Sequence, residues 1–538
     1  MVEYLLIDNP GTDSAKKSIL RLEKAISKNV ELRLRYPDQP EKFIDSEADL
    51  DEAILDLQHF SMQPTLAFPV LFALGSLESI VNLLTHENKD IVIDVIQVIS
   101  EWTDEDLVNG VEKSDFDDLD ILKSLITHLK DLSFFELLGH TLLSFSENVT
   151  SEILDSEREG VNKVLTIVEN ICSIDHNLAF EISTEMNLLP YLFSRIQNSF
   201  LTQDEAKLAR IDNNQQYSCE VLSILTQSSP KICTVATQPL SKDISLSGLE
   251  ILLNCISKYR KIDPIDEAEY EYLENLFNVI ISMMISESNS KQLFIDAEGV
   301  ELVCLMLKES TFTNFLSLKL LDFLLTPLDP KLDYGIGQKA LSIFLDCGGY
   351  QHLCRSLMKH RVVNILSWLF RFTRANTKYR WLLLSKFACH NEADSKVKLA
   401  CNARLDRLVE LHLFYTECIE QNEYNQNSQA HVEDPEVGLN MVDCLISIVA
   451  LNDNASKAHL SKAVELKQSS LQNIKNNVIN YIFDLFSDSE NTESGDDSKN
   501  EENATISLNS NISKLSFDQV YEKINTDLKE LYLAAKIL

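Results

Sequence analysis

The chain is poor in the two residues that tight turns need. Its 538 residues include only 13 Gly and 12 Pro, whereas an all-β protein of this length needs many turns rich in Gly and Pro. Leu, Ile and Val recur instead at three- and four-residue spacing, which predicts helices. The composition therefore excludes an all-β protein and indicates an all-α one.

Positive charge is scarce as well. The chain has 83 Asp and Glu against 48 Lys and Arg, and its formal net charge is −35. Such a balance argues against wrapping nucleic acid, which needs a basic surface, and it attracts basic partners. A solvated acidic surface without a binding role is the alternative interpretation.

Long apolar runs are missing too. No stretch approaches the roughly 18 apolar residues of a membrane span, and the acidic N-terminus lacks the apolar core of a signal peptide. The 11 Cys show no paired spacing, and several lie in apolar helical runs, where a free thiol packs like a small hydrophobe. These features predict a soluble intracellular protein in a reducing compartment, without membrane contact.

No catalytic motif is present either. The sequence contains no Gly-x-Ser-x-Gly, no Walker loop and no His-Glu-x-x-His. Gly335 and Gly337 lack the third glycine of a dinucleotide-binding loop. We therefore expect a protein that is not an enzyme and that holds no cofactor or metal.

What the chain does contain is a recurring unit, in which a Gly or Asn opens an apolar helix and an amphipathic helix follows. The later units are about 50 residues long, close to the roughly 40–47 residues of armadillo and HEAT repeats. The predicted fold is therefore an all-α, armadillo/HEAT-like right-handed superhelical solenoid with helical caps. Arrays of this kind bind partners along an extended surface. The units open at Gly75, Asn187, Gly248, Gly299 and Gly349.

Composition divides the chain into five predicted segments. Residues 1–65 form an N-terminal helical cap, 66–455 the armadillo-like repeats and 456–486 a C-terminal helical cap. Residues 487–512 are an acidic linker that we expect to be disordered. Residues 513–538 form an amphipathic helix that either docks on its own solenoid or binds another protein, and docking is the favoured interpretation.

Acidic residues and Asn recur on the helices that we expect to line the binding face of the array. Carboxylates there would pair with Lys and Arg of an extended partner, and Asn amides would hold the partner backbone. The Trp–Asn pairs typical of import receptors are missing, since the chain has only 3 Trp. We predict these inner helices at 90–104, 160–174, 215–226, 269–286, 316–326, 362–373 and 435–450. The predicted acidic groove consists of Glu101, Asp104, Glu169, Asn170, Glu220, Glu274 and Asn275.

One basic region interrupts the acidic trend. Between Arg355 and Arg407, twelve Lys or Arg face three acidic residues. Two interpretations remain open, namely pairing within the acidic chain or docking of an acidic protein or an RNA backbone. The candidate contacts are Arg371, Arg374, Lys378 and Arg380.

Several segments resemble the β-catenin-like protein 1 family. The most specific is Leu-Arg-Leu-Arg-Tyr-Pro-Asp-Gln-Pro-Glu-Lys-Phe at residues 32–43, because generic armadillo repeats lack its Pro-Asp-x-Pro-Glu-Lys-Phe signature. The resemblance covers roughly residues 15–485. Further matching segments follow in the family's order at 46–50, 166–171, 219–225, 273–277, 297–302 and 405–412.

The resemblance implies a non-enzymatic nuclear protein that associates with the spliceosome in the company of the Prp19–Cdc5 complex. It also implies binding of the basic localisation-type segments of splicing factors, in the manner of an import receptor. An import-receptor-like adaptor for basic cargo and an RNA-contacting scaffold are the alternatives, and self-association stays open.

Overall fold

The computed structural model describes residues 10–104, 116–147, 153–201, 208–240, 246–309, 312–328, 333–353, 360–373, 377–387, 395–424, 435–467, 469–491 and 526–538. Within these ranges the chain consists of α-helices and short 3-10 helices, and the only β pairing is an isolated bridge between Pro239 and Ser247. The prediction of an all-α protein is confirmed.

The chain forms two compact units, Met1–Leu293 and Phe294–Leu538, and the boundary falls within one helix, α15 (Ser288–Asp296). The helices before it are α1 (Pro10–Arg35), α2 (Ile44–Leu55), α3 (Pro64–Leu74), α4 (Ser76–Asn82), α5 (Lys89–Trp102), α6 (Phe116–Asp131), α7 (Phe134–Ser144), α8 (Ile153–Ile174), α9 (Ala179–Glu185), α10 (Leu188–Arg195), α11 (Asn213–Ser228), α12 (Pro230–Ala236), α13 (Gly248–Ser257) and α14 (Glu267–Ser286).

The second unit continues the helical series to the C-terminus. Its helices are α16 (Gly299–Glu309), α17 (Asn314–Leu325), α18 (Asp333–Asp346), α19 (Tyr350–Leu353), α20 (His360–Phe372), α21 (Lys378–Leu384), α22 (Ser395–Tyr424), α23 (Pro435–Asn452), α24 (Asn454–Leu466), α25 (Leu471–Asn491) and α26 (Thr526–Ile537).

Local sequence sets where these helices begin and end. The carboxylates of Asp212 and Asp266 accept hydrogen bonds from the backbone N–H of Gln215 (3.0 Å) and Glu269 (2.8 Å), which caps α11 and α14. Gly75 has φ = 70° and ends α3 in the left-handed conformation that a glycine adopts without strain.

The glycines that open later repeats serve close packing. A Cβ added at Gly299 would lie 2.5 Å from the ring of Phe294, and one added at Gly349 would lie 2.3 Å from the ring of Phe344. Gly248 likewise contacts a phenylalanine ring. The repeat signal in the sequence thus marks places where a helix N-terminus lies directly against an aromatic side chain.

Helices are found at all seven positions that were predicted for inner helices, namely α5, α8, α11, α14, α17, α20 and α23. Their placement on a binding face stays a prediction. Six of them begin within two residues of the expected position, whereas α8 begins at Ile153 instead of 160. In the first unit, α2, α5, α8, α11 and α14 pack side by side in that order. Apolar side chains such as Ile99, Val168, Leu222 and Phe277 are buried within this five-helix layer.

In the second unit, α17, α20 and α23 pack in succession, and α25 and α26 cover α23. The terminal helix α26 thus docks on the chain's own repeats, as favoured from the sequence. The expected start of this helix at residue 513 lies outside the described residues. Among the described helices, α23 is the one unbroken helix long and apolar enough to cross a membrane, yet it is a core helix here.

Most of the cysteines that the structure describes agree with the sequence prediction. The thiols that were expected to pack in the core are buried and free: Cys172, Cys219, Cys255, Cys304 and Cys444. Cys401, in contrast, is disulfide-bonded, which the spacing of the cysteines did not predict.

Candidate functional site

The five-helix layer of the first unit carries a polar face, which we call the acidic face. Each of its five helices contributes at least one carboxylate or amide to it, because apolar residues occupy the sides toward the neighbouring helices. Its members are Asp51, Asp94, Glu101, Glu169, Asn170, Tyr217, Glu220, Glu271, Glu274 and Asn275, which are half-buried except for the exposed Glu271.

Glu101 lies near the C-terminal end of α5. Its carboxylate accepts hydrogen bonds from the amides of Gln58 (3.1 Å) and Gln97 (3.3 Å). These donors are neutral, and among the described residues no Lys or Arg nitrogen lies within 4.0 Å of the Glu101 carboxylate. Asp104, predicted to belong to the same groove, lies beyond the end of α5 and is exposed.

Hydrogen bonds tie α8 to the helices on both sides. The Asn170 amide donates to the backbone oxygen of Ser100 (3.2 Å) and lies 3.5 Å from the hydroxyl of Thr103, on the α5 side. On the other side, the hydroxyl of Tyr217 on α11 donates to the carboxylate of Glu169. The amide donor of Asn170 is therefore used within the fold, and only its oxygen remains for a partner.

Three carboxylates meet around α11. Burial raises the pKa of Glu220, and the charges of Glu169 and Glu271 raise it further. Glu271 accepts a hydrogen bond from the amide of Gln216 (2.9 Å), and Glu274 lies one turn further along α14. In the part of the chain that the structure describes, no Lys or Arg nitrogen lies within 4.0 Å of Glu169, Glu220 or Glu274.

A carboxyl pair extends the acidic face to α2. Asp94 on α5 and Asp51 on α2 are joined by a hydrogen bond, and the pKa of Asp94 is raised to about 8. The main cause is burial, followed by the hydrogen bond and the charges of Asp51 and Asp90. Near neutral pH Asp94 is therefore mostly protonated, and a cation placed nearby would favour loss of that proton.

This arrangement is suited to holding cations of a partner. Carboxylates on neighbouring helices repel one another, and a Lys or Arg side chain placed among them removes that repulsion. Over the described ranges, no group of three or more His, Cys, Asp or Glu has a geometry that would hold a metal ion.

Sequence reasoning missed four members of the acidic face, namely Asp51, Asp94, Tyr217 and Glu271. Three of them stand at helical spacing from residues that were predicted. Asp94 precedes Glu101 by two turns, and Tyr217 and Glu271 precede Glu220 and Glu274 by one turn. Extending each predicted residue along its helix face would have found these three.

The three basic candidates that the structure describes in the second unit differ widely in burial. Arg380 is 2% exposed, and its guanidinium donates to the backbone oxygen of Phe370 and to the hydroxyl of Thr373. Arg380 therefore joins α21 to α20 inside the fold, which corrects the expectation that it faces a partner.

The other basic candidates differ in exposure. Arg371 is half-buried, lies over the ring of Trp368 at 4.2 Å and donates to the hydroxyl of Tyr481 (3.2 Å). The Lys378 side chain is 81% exposed, and Arg374 lies outside the described residues. Most of the basic candidates that the structure describes make contacts within the chain. Few of them are therefore free to bind an RNA backbone.

Comparison with known proteins places the chain among armadillo-type relatives. The family model described as "Catenin-beta-like, Arm-motif containing nuclear" matches residues 9–479. The Schizosaccharomyces pombe β-catenin-like protein 1 homolog is 34% identical over 384 residues, which is 69% of this chain and 60% of that protein. Human β-catenin-like protein 1 is 31% identical over 418 residues, 75% of this chain and 65% of that protein.

The chain thus spans somewhat less than two thirds of the length of these two relatives. Among solved structures, a chain from a study of the interaction between cadherin and β-catenin has a TM-score of 0.48 at 12% identity and covers 99% of this chain and 98% of its own. The Arm motif of the matching family model confirms the armadillo-like fold class. The right-handed superhelix stays a prediction.

Proposed function

Since the chain belongs to the catenin-beta-like family of nuclear proteins with Arm motifs, as its motifs predicted, we propose that it is a non-enzymatic scaffold associated with the spliceosome. In this proposal it binds basic localisation-type segments of splicing factors, including proteins of the Prp19–Cdc5 complex. The nucleus is the proposed compartment, in keeping with the description of the family.

One observation carries the proposal, namely that the acidic face gathers carboxylates from successive helices that have no cationic partner among the described residues. Glu169, Glu220 and Glu271 come from three successive helices, and the pKa of Glu220 is raised by burial and by the charges of the other two. Such an arrangement lowers the stability of the free protein, and a basic ligand would restore it. A binding role for the acidic face would explain why this destabilising arrangement of carboxylates is present.

The spacing of the helices suits an extended peptide. Packed helices lie about 8–10 Å apart, and an extended chain advances about 3.3 Å per residue. Carboxylates on successive helices would therefore meet every second or third residue of a peptide that crosses the layer. A segment with several Lys or Arg at that spacing is the ligand that fits this face.

The test is affinity purification of the tagged chain from nuclear extract, with mass spectrometry of the proteins that stay bound at moderate salt. The variant Glu220→Lys/Glu274→Lys reverses two charges of the acidic face. Glu78→Lys is the matched control, because Glu78 is exposed and lies on α4, outside the layer. We expect the wild-type chain and the control to recover spliceosomal proteins and the double variant to lose them.

Two results would contradict the proposal. Recovery of nuclear-pore and import components by the wild-type chain, without spliceosomal proteins, would favour a carrier of basic cargo. Recovery of the same spliceosomal proteins by the double variant would show that the acidic face does not hold them.

A further inference from the structure

The second unit contains an unusually apolar helix, α23. Its C-terminal part is buried on all sides, since residues 441–450 are buried without interruption. The inner helices of the first unit differ, because they keep half-buried polar side chains such as Glu169 and Glu220. An apolar helix of this kind needs neighbours all around it.

The chain's own terminal helix supplies part of that cover. Helix α26 packs against α23 and α25, and it buries Leu531, Tyr532, Ala534 and Ala535. The two alanines allow the helix axes to come close together. The opposite side of α26 remains open, with Leu533 42% exposed.

A polar contact fixes the position of the C-terminal end of α26. The Nζ atom of Lys475 on α25 donates a hydrogen bond to the backbone oxygen of Lys536 (3.4 Å). The last carbonyls of a helix lack partners within the helix and carry a partial negative charge. Lys475 would therefore hold the C-terminus of any helix that lies in this place.

Two features of the chain distinguish α26 from the helices beneath it. Residues 492–525 separate it in sequence from α25, and it lies beyond residue 479, where the match to the family model ends. A helix of 12 residues is marginally stable alone in water, so its helical form depends on docking.

We propose that α23 and α25 form a helix-binding groove for an amphipathic helix of a partner protein, and that α26 occupies this groove in the free chain. The partner helix carries two large apolar residues followed, after one position, by two small residues, as α26 does at 531, 532, 534 and 535. This site is separate from the acidic face and recognises apolar shape rather than charge.

Tethering makes α26 a competitor of the partner. A segment linked to its site has an effective concentration on the order of millimolar, so a weakly docked helix still excludes a free one. Removing α26 from the groove therefore raises the apparent affinity for a helix added in solution.

The test uses the full chain and a fluorescent peptide with the sequence of residues 526–538. Leu531→Asp places a charge at a site that is 1% exposed and undocks α26. Leu533→Asp makes the same change on the open side and is the matched control. We expect Leu531→Asp to bind the peptide at least tenfold more tightly than the wild-type chain, and Leu533→Asp to match the wild type.

Thermal melting shows whether Leu531→Asp leaves the rest of the chain folded, and Tyr532→Ala replaces it if it does not. A peptide that itself carries Leu531→Asp should bind none of the proteins. Equal binding of the peptide to all chains, or no binding to the undocked variant, would overturn the proposal. A concentration-dependent dimer of the wild-type chain that Leu531→Asp abolishes would assign the groove to a second copy instead and would overturn it as well.

Discussion

At the scale of single residues, the charge of Glu220 affects both the proposed binding of a basic partner and the stability of the free protein. Its half-buried carboxylate lies near Glu169 and Glu271, and burial together with these charges raises its pKa above the usual range. Because the pKa of this carboxyl is raised in the folded state, its own contribution to stability is largest below its unfolded pKa and is lost as the pH rises through its folded pKa. The charge that would attract a basic partner therefore destabilises the free protein.

Glu220→Gln should consequently stabilise the chain and weaken binding. We expect the free energy of unfolding at pH 7 to rise by about 0.5 kcal/mol, with a smaller change at pH 4, because a carboxyl with a raised pKa is mostly protonated there. The affinity for a Lys- and Arg-rich peptide should fall about three- to tenfold. Urea unfolding at both pH values and peptide titration measure the two effects, and a loss of stability at pH 7 would contradict this account of Glu220.

The basic candidates show that sequence alone does not predict whether a charged side chain is buried or exposed. Arg380 and Lys378 are two residues apart in a basic stretch, yet one is buried and the other is exposed. The difference arises because the Arg380 guanidinium reaches a backbone oxygen of the preceding helix. Such a contact depends on how α21 packs against α20, and a count of charged residues gives no information about that packing.

At the scale of helices and their junctions, the repeat glycines are tested most simply at Gly349. Gly349→Ala should reduce the free energy of unfolding by about 1–3 kcal/mol, because the new Cβ would meet the buried ring of Phe344, which has no room to move. Gly335→Ala is the control, since no atom lies within 4 Å of its added Cβ. Thermal or urea unfolding compares the two variants, and equal stability would refute the close-packing role of Gly349.

Helix positions were predictable because their signals are local. Apolar spacing fixes the face of each helix, and capping residues such as Asp212 and Asp266 fix its start. Which helix packs against which was harder to predict from the sequence. The bond from Tyr217 to Glu169 joins residues on two helices, and only their relative register brings the two side chains together.

At the scale of the whole molecule, the net charge of −35 favours any basic partner from a distance, with an attraction that salt screens. Sequence composition was sufficient to predict this general preference and an all-α protein, and the recurring unit predicted the armadillo-like class. It was not sufficient to locate the acidic face fully, because Asp51 and Asp94 meet only after α2 and α5 have packed. The division into five segments stays a prediction.

The most direct test of the central claim is calorimetric titration of a Lys- and Arg-rich peptide into the full chain at near-physiological salt. We predict saturable binding of one peptide by the wild-type chain and by Glu78→Lys, with an affinity that decreases as salt increases. Glu220→Lys/Glu274→Lys should bind at least tenfold more weakly while melting at the same temperature or above. Equal affinity of the three proteins would contradict the claim that the acidic face of the five-helix layer is the binding site.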